Sequence, residues 1–127
     1  MSVQSFKEAS FSEAILKAVD ALGFVEPTPV QAQAFPILLS GRDLLAVAQT
    51  GTGKTAAFAL PILERIAQGE AVKTGTAANV ARPFALILAP TRELASQIEK
   101  NIRDHARFLP IKTALLVGGV GLVHQVR

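Results

Sequence analysis

Ala48-Gln49-Thr50-Gly51-Thr52-Gly53-Lys54-Thr55 decides the fold. It follows the apolar run Leu44-Leu45-Ala46-Val47-Ala48 and opens a stretch of helical spacing from Lys54 to Ala67. A glycine-rich turn from strand to helix is where a phosphate loop sits, and its pattern is Gly-x-x-x-x-Gly-Lys-Ser/Thr. Gly53, Lys54 and Thr55 match, and Ala48 stands where the pattern has its first glycine. The physics survives that substitution. Glycines at 51 and 53 let the backbone curl so that successive amides face an anion, and the helix start adds partial positive charge there. Lys54 is long enough to reach the outer phosphates, and the Thr55 hydroxyl suits Mg²⁺, which prefers oxygen ligands. A bare strand-helix turn with no ligand is the plainer reading, but a lysine at a helix start opposes the dipole and counts against it. Gly51-Thr-Gly53-Lys-Thr-Ala56 also fits the dinucleotide fingerprint. That fingerprint needs an acid at the end of the next strand, where this chain has Pro90 and Thr91.

Outward from the loop, Phe84–Ala89 and Thr113–Val117 repeat the nearly all-apolar rhythm of Leu44–Ala48. Strands apolar on both faces suit a parallel sheet covered by helices on each side. Helical patterns over Lys54–Ala67 and Arg92–Phe108 separate them, so the fold class is α/β. The stretch from Gln68 to Pro83, rich in Gly, Thr and Asn, reads as a surface loop. Ahead of the sheet region lie two more helical patterns. Ser10 and Glu13 fit a capping box, followed by Ile15, Leu16, Val19 and Leu22, with Gly23 as the stop. Thr28, Pro29 and Gln31 read as N-cap, N1 and N3 of the next helix. Pro36 is expected to kink or split that helix, and Gly41 ends the segment. The division is thus a helical region, 1–41, and an α/β region, 42–127.

Composition narrows the class. The chain has 127 residues, half of them hydrophobic and 18% charged, which is globular and not disordered. It has no cysteine, which removes disulfide frameworks, cysteine-zinc sites and thiol nucleophiles. No apolar run reaches membrane-spanning length and no leader pattern is visible, so the expected location is cytoplasmic with no membrane partner. The net charge of +3 is modest. Lys100, Arg103, Arg107, Lys112 and Arg127 face Asp104 alone in the last stretch, either a solvated face or a phosphate-facing patch.

Gly23-Phe24, Pro27-Thr28-Pro29-Val30-Gln31, Ala48–Thr55, Pro90-Thr91-Arg92-Glu93-Leu94-Ala95 and Gly118-Gly119 resemble, in order and spacing, the DEAD-box RNA helicases. They match that family's Q motif, motif I, motif Ia and double glycine, and the general tone is similar to the bacterial RhlE-like subgroup. The resemblance implies a P-loop NTPase, RecA-like domain using ATP and Mg²⁺. It assigns the nucleotide to Phe6, Phe24, Thr28, Gln31, Gln49, Thr50, Gly51, Thr52, Gly53, Lys54 and Thr55, with Lys54 and Thr55 closest to catalysis and Thr55 on the metal. It implies that Gln31 pairs with the adenine edge, since one planar amide offers both donor and acceptor, and that Phe6 stacks on the base. From the residues alone, Gln31 reads first as the N3 partner of the Thr28 cap, and Phe6 as well as a tail residue packed on the first helix. The resemblance places single-stranded or duplex RNA, through its sugar-phosphate backbone, on Pro90, Thr91, Arg92, Gly118 and Gly119. Arg92 offers a planar fork for phosphate; the glycines are otherwise an ordinary turn after a strand.

The family's Asp-Glu-Ala-Asp motif follows the double glycine, and none of Asp20, Asp43 and Asp104 is followed by Glu. The expectation is therefore an incomplete RecA-like sheet over 42–127 with an unpaired edge. Such a chain is expected to be marginally stable or to self-associate, and to turn over no ATP alone. Two functional readings follow: the ATP- and RNA-binding N-terminal portion of an RNA helicase, or a truncated adenine-nucleotide or RNA-binding module or gene fragment without turnover.

Overall fold

A computed structural model describes residues 2–49, 51, 53–69 and 83–118. Four helices occur among them: α1 (Glu13–Ala21), α2 (Pro29–Leu39), α3 (Lys54–Ala67) and α4 (Arg92–His105). α2 and α3 pack most extensively, and α3 and α1 each also meet α4. The core between them is built on aromatic and aliphatic side chains from the whole described length. Phe6, Phe11, Ile15, Val19, Phe35, Leu60, Leu63 and Ala106 form one buried cluster. Phe35 is its centre, with Phe11 edge-on at 4.9 Å and Phe6 tilted at 6.1 Å.

The helix ends show where local chemistry decided and where it did not. α1 stops in a Schellman motif: Gly23 N–H donates to Asp20 O and Phe24 N–H to Val19 O, with Gly23 at φ 81°. Its start differs from the expected Ser10–Glu13 box. Ser12 is the N-cap, without a side-chain cap bond, and Ser10 sits at φ 65° outside the helix. The reason is tertiary. The Ser12 N–H donates to the buried Glu64 carboxylate of α3 at 2.7 Å, so Glu64 does for this helix what an N3 glutamate does locally.

Pro36 does not split α2, which runs unbroken from Pro29 to Leu39. Proline frees the carbonyl four residues back, and here the Val3 N–H takes up Ala32 O at 3.1 Å. The interruption is satisfied from outside the helix, and it pins the N-terminal segment across α2. α4 ends at His105 and not at the expected Phe108. The chain turns there, with Leu109 N–H donating to Ala106 O, and Leu109 and Ile111 fold back onto the core.

Among the described residues the apolar runs carry no strand pairing, so the expected parallel sheet is not shown there. The first two apolar runs are exposed: Leu45 is 93%, Val47 96% and Leu88 84% accessible. Strands apolar on both faces are buried only when neighbouring strands and two helical layers enclose them, and the helices here spend their apolar faces on one another. Residues 111–118 still alternate half-buried and exposed, the period-two signature of an extended strand. Among the described residues no helix is long and apolar enough to cross a membrane.

Candidate nucleotide and RNA site

The α2 start and the phosphate loop meet directly. Thr28 and Gln31 form a complete capping box: Thr28 N–H donates to Gln31 Oε1 at 3.1 Å, and Gln31 N–H points at Thr28 Oγ1 at 3.5 Å. Pro29 at N1 fixes the helical φ and removes an amide that has no partner there anyway. The same Gln31 carboxamide, buried in the fold, donates through Nε2 to the Gly53 carbonyl at 3.1 Å. One side chain therefore closes its own helix and holds the loop 22 residues away.

The described part of the loop has backbone suited to an anion cradle. Gly51 and Gly53 both adopt left-handed backbone, φ 83° and 82°. Gly53 is the N-cap of α3, and α3 has no side-chain cap bond, so its first-turn amides are not consumed by a threonine as those of α2 and α4 are. A Cβ on Gly53 would strike the Gln31 amide and lie 3.1 Å from Thr28 Oγ1, whereas one on Gly51 meets nothing within 4 Å. Gly53 thus serves packing and backbone together. Gly51 serves backbone alone and leaves the mouth of the loop open. Lys54 is exposed at the helix start and Thr55 half-buried behind it; Gln49 lies exposed on the approach. Thr50 and Thr52 lie outside the described residues.

The aromatic pair divides. Phe6 is 6% exposed and packs its ring against Phe35. Phe24 is 46% exposed and stacks in parallel on the His105 ring, 5.8 Å between centroids. His105 is itself buried, with Nδ1 against Asn101 O at 2.7 Å. Nothing in the sequence near His105 signals this contact; it is made by α1 and α4 crossing.

The second cluster sits at the other end of α4. Thr91 caps the helix, accepting from the Leu94 N–H at 3.1 Å, and Pro90 and Arg92 are exposed beside it. Glu93 lies in the first turn, where a carboxylate complements the helix dipole. Among the described residues Arg92 makes no ion pair, while further along α4 Lys100 pairs with Asp104 and Arg103 with Glu99. The Lys100 ammonium, by hydrogen bond and then by charge, holds the Asp104 carboxyl below its ordinary value. Gly118 is exposed at the end of the returning segment; Gly119 lies outside the described residues. Among the described residues no group of three His, Cys, Asp or Glu converges to hold a metal.

Residues 28–127 match the family described as DEAD/DEAH box helicase. This chain belongs to that family. Among curated proteins it is 45% identical to the ATP-dependent RNA helicase DBP2 of Mycosarcoma maydis, across 98% of this chain and 22% of that protein. Among solved structures it superposes on the RNA helicase Prp28 of Chaetomium thermophilum bound to ADP, with TM-score 0.81 and 41% identity, covering 98% of this chain and 29% of that one. A DEAD box protein of the hyperthermophile Methanococcus jannaschii gives TM-score 0.82 at 33% identity, covering 98% and 32%. These are RecA-like DEAD-box proteins, and the described helices follow their arrangement. The chain spans only 24% and 14% of the length of two further curated DEAD-box family relatives it matches.

Proposed function

We propose that this chain is the ATP- and RNA-binding N-terminal portion of a DEAD-box ATP-dependent RNA helicase, which in the whole protein couples ATP hydrolysis to RNA duplex unwinding. The observation that carries the reading is the Gln31–Gly53 hydrogen bond, because it joins the adenine-reading candidate to a phosphate cradle in one piece of structure.

The residues fit a nucleoside triphosphate. Two left-handed glycines and the uncapped start of α3 direct backbone amides outward. Lys54 is exposed and free to bring its ammonium to the outer phosphates. Thr55 contributes a single hydroxyl toward Mg²⁺, an ion that keeps water and phosphate oxygens for its other positions. Bound there, the metal would neutralise charge on the phosphates. Gln31 uses one lone pair of Oε1 and one hydrogen of Nε2 in holding Thr28 and Gly53. One acceptor and one donor remain, the pair an adenine edge requires. Capping and base reading are thus compatible in the same amide. Of the two rings, Phe24 is the more exposed, beside its stack on His105, and is proposed to offer its open side to a base. Arg92, Thr91, Pro90 and Gly118 are proposed to hold the RNA backbone without reading sequence. A cytoplasmic location belongs to the same reading. The likeness to the bacterial RhlE-like subgroup rests on sequence tone alone, and the fungal proteins named above lend it no support.

Titration of a fluorescent ADP analogue into the chain tests this. The expected result is saturable binding, displaced by ATP and not by GTP, and weakened at least about tenfold by Lys54→Ala. No saturable binding, or displacement by GTP as readily as by ATP, would overturn it.

A further inference from the structure

Glu99 lies two turns past Arg92 on α4, with its side chain 19% exposed. Its Oε1 accepts from the Thr113 hydroxyl at 2.6 Å and from Arg103 Nε at 2.8 Å. Both are short, charge-assisted contacts. Thr113 belongs to the segment that returns from the end of α4, and its hydroxyl ties that segment to the helix.

The bridge fixes a register. A helix rises about 1.5 Å per residue, so Glu99 stands roughly 10 Å from Arg92 along the axis. The returning segment has the alternating burial of an extended strand and advances about 3.3 Å per residue. Gly118 lies five residues past Thr113 in that segment, and Arg92 seven residues before Glu99 on α4, so the bridge sets how far each stands from the other. A slip of one residue would turn every alternate side chain over and move Gly118 by about 3 Å.

We propose that Glu99 and Thr113 are positioning residues that set this register and thereby bring Gly118 and Arg92 to one stretch of RNA backbone. The inference rests on the proposed RNA role of those two residues. Neither Glu99 nor Thr113 touches RNA in it.

The test measures two affinities on the same chain: a fluorescein-labelled oligouridylate, and the fluorescent ADP analogue. Thr113→Val is expected to weaken oligouridylate binding about tenfold while ADP binding stays within about twofold, because one positioned charge-assisted bond is lost far from the loop. Thr113→Ser restores the hydroxyl and is expected to restore RNA affinity. Glu99→Gln keeps an acceptor without charge and falls between. Arg92→Ala separates the two claims. If it leaves RNA affinity unchanged, the RNA reading fails and the positioning role with it. If Arg92→Ala weakens RNA binding and Thr113→Val does not, the register proposal alone is overturned. It is equally overturned if Thr113→Val weakens both ligands alike, or if Thr113→Ser fails to rescue, since either marks a merely structural contact.

Discussion

Gly53→Ala is the most informative single change in this chain. The residue sits at φ 82°, a conformation that costs a residue with a Cβ about 1–2 kcal/mol. The new methyl group would also strike the Gln31 amide, with Gln31 Cδ at 3.2 Å and Thr28 Oγ1 at 3.1 Å. Gln31 is buried and held from both ends of its amide, so it has no free rotamer to retreat into. Displacing it removes its bond to the Gly53 carbonyl, worth about 1 kcal/mol, and breaks the α2 capping box, worth about another 1 kcal/mol. The loss of folding stability is therefore about 3–4 kcal/mol. Gly51→Ala is the internal control. It shares the left-handed backbone, φ 83°, but its Cβ meets nothing within 4 Å, so it costs only the backbone share, about 1–2 kcal/mol. Urea denaturation followed by circular dichroism measures both. In a Gln31→Ala background the Gly53→Ala penalty should fall to that of Gly51→Ala. Equal losses for the two glycine variants, within about 0.5 kcal/mol, would refute the claim that Gln31 packs against the loop.

Two further changes probe the frame around the site. Phe35→Ala removes the ring against which Phe6 and Phe11 pack and is expected to cost about 4 kcal/mol in the same denaturation experiment; a loss under about 1 kcal/mol would mean that this cluster is not the core. Asp104→Asn is expected to lower the melting temperature slightly at neutral pH. Because the folded-state carboxyl is held below its ordinary value by Lys100, its contribution is present above the unfolded value and is lost as pH falls through the lowered one. The gap between variant and parent should close as the pH is taken down through the carboxylate range; a gap that widened in acid would reverse the assigned sign.

The sequence by itself determined what is local. Thr28, Pro29 and Gln31 specify a helix start through their own hydrogen bonds, and they form the box the spacing predicts. Gly51-Thr-Gly53-Lys-Thr specifies a left-handed turn into α3, because only glycine takes those angles cheaply, and α3 begins and ends where its pattern does. Gly23 and Thr91 act likewise at their helix ends. Tertiary structure decided whatever depended on a partner distant in the chain. Glu64 moved the start of α1 from the Ser10 box to Ser12 by offering a carboxylate 52 residues away. Val3 kept α2 whole across Pro36. Phe6 went to Phe35, and Phe24 to His105. The join of Gln31 to Gly53 was likewise out of reach of spacing arguments, since neither residue's neighbours encode the other. The apolar runs mark the limit from the other side. Their composition names them as sheet strands, but an apolar strand becomes a buried one only where neighbours supply the hydrogen bonds and cover both faces. Spacing sets a segment's own backbone angles; it takes a neighbour in space to set what that segment touches.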